Sequence, residues 1–87
     1  MSIILSRLVS SLDEVELPYR SRVLNVEVHD EVVYINALCN ISKLYSTRKV
    51  TFLAVGIEVD PNSMLRQKFI NTVILKGTKY FVFVEEL

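Results

Sequence analysis

Between Asn71 and Leu87 the chain reads NTVILKGTKYFVFVEEL, two apolar runs rich in β-branched and aromatic residues and hinged on Lys76, Gly77 and Thr78. That pattern predicts a β-hairpin, with the glycine where the backbone must take positive φ. Side chains of a strand alternate, so Tyr80, Val82 and Val84 share one face of the second arm and Phe81 and Phe83 the other. Both faces are apolar. Such a strand needs cover on each side, from a helix, a closing strand or another protein chain.

A second hairpin is legible between Arg22 and Ile41. With the turn at Asp30 and Glu31, Val28 faces Val33, Val26 faces Ile35, Leu24 faces Ala37 and Arg22 faces Cys39, which puts the apolar residues of both arms on one side. Asn25 then meets Asn36 and Glu27 meets Tyr34 on the other side, and a slip of one residue would destroy the match. Asp-Glu is a poor two-residue turn, so a four-residue loop in the same register is expected.

The remaining segments follow from their spacing. Leu5, Leu8, Val9 and Leu12 recur at helical intervals behind Ser2, predicting an amphipathic amino-terminal helix ended by Pro18, with Glu14 and Glu16 in a solvated connection. Residues 42–49 read as a polar connection, and Val50 to Val59 as a third strand in which Gly56 permits a bulge. Asp60 or Ser63 caps a short helix with Pro61 in its first turn and Met64, Leu65, Lys68 and Phe69 as its stripe. Three antiparallel strands, a helix and two more strands is the order of an OB-like five-stranded β-barrel, with Met64 and Phe69 suited to plug one end. An α+β sandwich on an antiparallel five-stranded sheet accommodates the same order.

Composition changes that picture in two ways. The 87 residues make one small domain, yet 51% are hydrophobic, more than an isolated core of this size uses, which points to a protein partner or a second copy of the chain. Ten basic and ten acidic side chains cancel, so any attraction to nucleic acid must arise from a local patch. Positive charge is unevenly spread. No acidic residue lies between Val32 and Ile57, where Lys43, Tyr45, Arg48 and Lys49 occur; Tyr19, Arg20 and Arg22 form a second group, and Lys76 and Lys79 flank the last turn. In an OB barrel the loop after the second strand borders the groove in which bases stack on aromatics and phosphates meet Lys or Arg. These nine residues are the candidate single-stranded nucleic-acid contacts. Leu5, Leu8, Leu12, Phe81 and Phe83 are the candidate protein interface.

The segment from Gly77 to Leu87, with Tyr80, Val82, Val84, Glu86 and Leu87 in sequence, resembles the late-strand segment of the smallest OB-fold subunits of replication protein A and of the telomere-capping CST complex. The resemblance implies a nuclear accessory subunit that stabilises a larger single-stranded DNA-binding partner. In that family a carboxy-terminal helix makes the heterodimer contact; here the amino-terminal helix would take that role.

Catalytic and metal chemistry find little material. His29 and Cys39 are the only histidine and cysteine, too few for an intrachain zinc site. Cys39 falls on the apolar face of the hairpin and His29 beside its turn; neither has a candidate nucleophile or base within the same element. Two glycines cannot build a phosphate loop. One cysteine excludes an internal disulfide, and no start resembling a leader or span is present, so an intracellular setting is expected with no membrane, cofactor or small-molecule substrate. The reading is a non-enzymatic module that assembles with a partner and touches single-stranded nucleic acid. Its alternative is a self-associating structural or regulatory protein whose two-faced last strand pairs with its own copy.

Overall fold

A computed structural model describes residues 1–41 and 44–87. Period-two alternation governs nearly all of it: the strands are β1 (Ser2–Leu8), β2 (Glu14–Pro18), β3 (Arg22–His29), β4 (Val32–Asn40), β5 (Tyr45–Leu53), β6 (Gln67–Leu75) and β7 (Thr78–Glu85). They form two antiparallel sheets, ordered β1-β4-β3 and β2-β5-β7-β6. The inward residues of both sheets make one core, in which Leu17, Ile35 and Val82 are completely buried. The fold is therefore mainly β, as the hairpins imply, but it is a two-sheet sandwich of seven strands and not a closed five-stranded barrel or an α+β sandwich.

Both hairpins are present. In β3 and β4, Val28 pairs with Val33, Val26 with Ile35, Asn25 with Asn36 and Glu27 with Tyr34, as the side-chain match requires. The turn departs from expectation. His29 pairs with Val32, so Asp30 and Glu31 alone make the loop, at φ 50° and 63°. Positive φ at both central residues is the two-residue geometry that fits the twist of the strands. The Glu31 carboxylate accepts the Lys76 N–H at 2.7 Å, tying this turn to the Lys76-Gly77 turn of the β6–β7 hairpin. The register also shifts between Val23 and Asn25, so Val23 stands opposite Ala37, Arg22 opposite Leu38, and Leu24 is left exposed.

Three other segments overturn the expected elements. The amino-terminal segment is strand β1, paired along its whole length with β4, and not a helix. Leu8 and Leu12, which supplied half of the helical spacing, are both exposed, and the β-branched pair Ile3-Ile4 fits an alternating strand. Glu14 to Pro18 is strand β2, whose Val15 and Leu17 reach the core between outward glutamates. Strand β5 starts at Tyr45 and stops at Leu53, earlier than expected at both ends, leaving Val55, Ile57 and Val59 in an exposed loop. Gly56, at φ 87°, makes a turn closed by Ile57 N–H to Ala54 C=O at 3.3 Å. Asp60 does cap the next element, accepting the Asn62 N–H at 3.0 Å, but that element is a single 3₁₀ turn, Pro61–Met64, with no buried residue. It plugs nothing. Phe69 belongs to β6 instead and stands on the outer face beside Phe81 and Phe83.

A sandwich leaves edges, and one pair of them is bridged by a side chain. Asn71 of β6 accepts the Val26 N–H of β3 at 2.7 Å and donates to the Val26 C=O at 3.0 Å, imitating one rung of a ladder between two strands that do not otherwise pair. Removing it leaves both backbone groups of Val26 unpaired in a part-buried seam. Asn71→Ala is expected to lower unfolding free energy by about 1–3 kcal/mol, read from urea denaturation. Asn71→Asp, which keeps the acceptor but loses the donor, should not restore it. Native stability in both variants would show that the seam is held by packing alone.

Candidate anion-binding site

The ends of a sandwich are unlike. One carries the two linked hairpin turns. The other is built from the β2–β3 connection, the start of β3, the middle of β5, the start of β6 and the end of β7. There Ser21 closes a tight turn, its N–H donating to the Pro18 C=O at 3.1 Å and its hydroxyl to the same oxygen at 2.5 Å. Arg20 sits in this turn at φ 64°, with its guanidinium carbon 5.6 Å from the ring centre of Tyr19, which is 51% exposed. The Tyr19 N–H donates to the Leu44 C=O at 2.8 Å, which holds the connection against the residues leading into β5.

Alternation along β5 turns Arg48 inward with Val50. Arg48 is only 5% exposed, and its Nη2 donates to the Ser21 C=O at 2.7 Å. Its Nε is buried and finds no acceptor among the described residues. No carboxylate among the described residues comes within ion-pair distance of it; the one ion pair found there joins Glu27 and His29, exposed on β3. Burial pulls the Arg48 pKa below the usual arginine value, opposed by the electrostatics of Cys39, Glu85 and Glu86. A guanidinium nevertheless stays charged at neutral pH. A buried cation without a counter-charge is costly.

Around it lies a cavity of ≈ 390 Å³ whose polar wall is Arg20, Ser21, Arg22, Arg48, Lys68 and Glu86, with Val23, Ile70, Val84 and Leu87 as its apolar wall. Lys68 stands opposite Val84, a core residue, so it too is on the inner side of its sheet. Four cationic side chains and one acidic side chain line this opening. The planar guanidinium fork matches two oxygens of a phosphate or carboxylate at once, and an anion seated here would meet a wall dominated by cationic side chains. No three residues among the described His, Cys, Asp and Glu gather as metal ligands would.

Of the nine candidate contacts, the structure brings Tyr19, Arg20, Arg22 and Arg48 to this end. The others are elsewhere. Lys43 lies outside the described residues. Tyr45 opens β5 on its outer side, its hydroxyl accepting from Arg7 Nη2 at 3.2 Å with the guanidinium 5.7 Å from the ring centre. Lys49 is exposed opposite Glu14. Lys76 and Lys79 belong to the opposite end, about 25 Å along β6 from Lys68 at the usual strand rise, with the Lys79 ammonium 5.4 Å over the Phe81 ring. They do not share a groove with Arg48. Of the proposed interface, Leu5 packs half-buried against the core, Leu8 and Leu12 are exposed, and Phe81 and Phe83 lie half-buried on the outer face of β7 with Phe69. Lys68 escaped the sequence reading because it was counted into a helical stripe; alternation from Gln67 to Leu75 is the signal that places it. Comparison with protein-family models, with curated proteins and with solved structures finds no match for the chain.

Arg48 can be tested apart from the fold. An apolar side chain of similar length at this position removes the cost of burying a charge that has no carboxylate in ion-pair distance. Arg48→Met should therefore keep the native melting temperature or raise it; inorganic phosphate is expected to raise the melting temperature of the native chain and to leave that of Arg48→Met unchanged. A large fall in melting temperature would instead make the bond to Ser21 the reason for the arginine.

Proposed function

We propose that this chain is a non-enzymatic interaction module of a larger assembly, and that its basic end receives the phosphates of single-stranded nucleic acid. The observation that carries the reading is the convergence of Arg20, Arg22, Arg48 and Lys68, drawn from distant parts of the sequence, on one opening, with Tyr19 exposed beside Arg20 in the adjoining turn. Phosphates seek such a cluster, and an exposed tyrosine offers an unstacked base a face to lie on. A duplex keeps its bases stacked and would leave that ring unused. Because ten cations and ten anions cancel over the whole chain, attraction must be local, and a few phosphate contacts give modest, steeply salt-dependent affinity. An accessory role fits that strength. Exposed apolar groups away from the opening, among them Val55 and Ile57, supply surface for a protein partner. The resemblance to small OB-fold subunits concerns Gly77 to Leu87, which forms β7 of a sandwich, so only the accessory role is retained from it.

The test is fluorescence anisotropy with labelled single-stranded DNA and RNA at low and near-physiological salt. The native chain should bind saturably, and Arg20→Glu combined with Lys68→Glu should abolish binding while the exposed positions leave melting unchanged. Lys76→Glu combined with Lys79→Glu, at the other end, should leave affinity within about threefold, as expected when only long-range screened charge changes. Equal losses from both pairs, or native binding that ignores salt, would reject the basic end as the site.

A further inference from the structure

We infer that β1 is the pairing edge of a symmetric homodimer, independently of what the basic end binds. The last strand cannot serve, because β7 is flanked by β5 and β6 on its two sides. Three of the four sheet edges are also blocked. Edge β2 is five residues long, carries Glu14 and Glu16 and ends in Pro18, while β3 and β6 face one another across the Asn71 bridge. Edge β1 has none of these protections. It is seven residues, without proline, bulge or acidic group, and Ile4 is 65% exposed on it.

Hydrogen-bond parity says which groups β1 offers. Val9 N–H donates to Val33 C=O at 3.0 Å, continuing the register that sets Leu8 opposite Tyr34. In an antiparallel pair, hydrogen-bonded and open positions alternate, so Ile3, Leu5 and Arg7 spend their backbone groups on β4, whereas Ser2, Ile4, Ser6 and Leu8 turn theirs outward. What docks on such an edge must itself be a strand.

The identity of that strand is argued from the letters. Ser2-Ile3-Ile4-Leu5-Ser6 has the same pattern of polar and apolar residues in both directions, with Ile4 at its centre. Antiparallel pairing with a second copy about a two-fold axis at Ile4 sets Ser2 against the other Ser6, Ile3 against the other Leu5 and Ile4 against itself. The outward groups of these residues then meet in register, giving about six backbone hydrogen bonds. Both faces match at once: apolar Ile3 and Leu5 continue the inner side, and Ile4 and the serines the outer side. A slip that centres the axis on Leu5 would bring Arg7 against Ile3 and break the match. The two three-stranded sheets become one of six strands, an isologous contact that closes and cannot propagate.

Light scattering on the purified chain should give twice the chain mass, falling to half of that in Ile4→Asp, where two carboxylates would face each other across the axis, with circular dichroism and melting retained because Ile4 is exposed. Position-specific trapping keeps the test independent of that variant's folding. Ile4→Cys should oxidise to a covalent dimer, since residues facing across a hydrogen-bonded pair have Cα atoms roughly 5.5 Å apart. Leu8→Cys should not, because this register separates its two copies by roughly 26 Å. A monomeric native mass, a dimer that survives Ile4→Asp, or equal trapping at both positions would overturn the assignment.

Discussion

Two sheets of unequal width, three strands against four, cover each other through the burial of one face of every strand, and everything else follows from their not joining into a barrel. Leu17, Ile35, Val82 and their neighbours remove the apolar faces from water. Hydrogen bonding, by contrast, is left incomplete wherever a sheet stops. A closed barrel has no edges and only its two ends to settle; this sandwich must settle four edges as well. The Asn71 bridge, the proline and glutamates of β2 and the open flank of β1 are different answers to that one problem.

The two ends divide in the same way. At one, Glu31 and the Lys76 N–H lock hairpin turns together, an arrangement that consumes its own polar groups. At the other, the β2–β3 connection and the inner face of β5 bring Arg48 to the Ser21 carbonyl, while its buried Nε finds no acceptor among the described residues. A fold that ties its turns together at one end and gathers four cationic side chains at the other is asymmetric in a manner the core does not require. That asymmetry makes the basic opening a better candidate for recognition than the exposed lysines, which cost nothing to solvate.

The sequence made legible whatever depended on a local alternating match. The β6–β7 hairpin and the inner register from Val26 to Val33 needed only neighbours in sequence, and the cap at Asp60 needed only its own residue type. It failed where partners are remote. Ile3 to Leu8 became a strand because β4 lies beside it, and the spacing of Leu5, Leu8, Val9 and Leu12 imitated a helix only because two of those leucines bury nothing. Glu14 to Pro18 looked like a linker because glutamates dominate it, although Val15 and Leu17 between them carry the alternation. The cations Arg20, Arg22 and Arg48 were visible as charge; that Arg48 is buried, and Lys68 beside it, followed from where β5 and β6 begin.

Burial of Arg48 is the step that separates recognition from mere stickiness. An exposed lysine gains little from a phosphate because it gives up water of equal quality, and salt screens what remains. A guanidinium that is 5% exposed and fixed by the Ser21 carbonyl has lost much of its hydration on folding, so an anion arriving beside it would find the charge already held in place. The same preorganisation favours ligands that present two oxygens in a plane, and disfavours bulky or neutral groups that would leave the guanidinium unmatched. Discrimination at such an opening rests on the fit of charge and plane more than on the number of contacts.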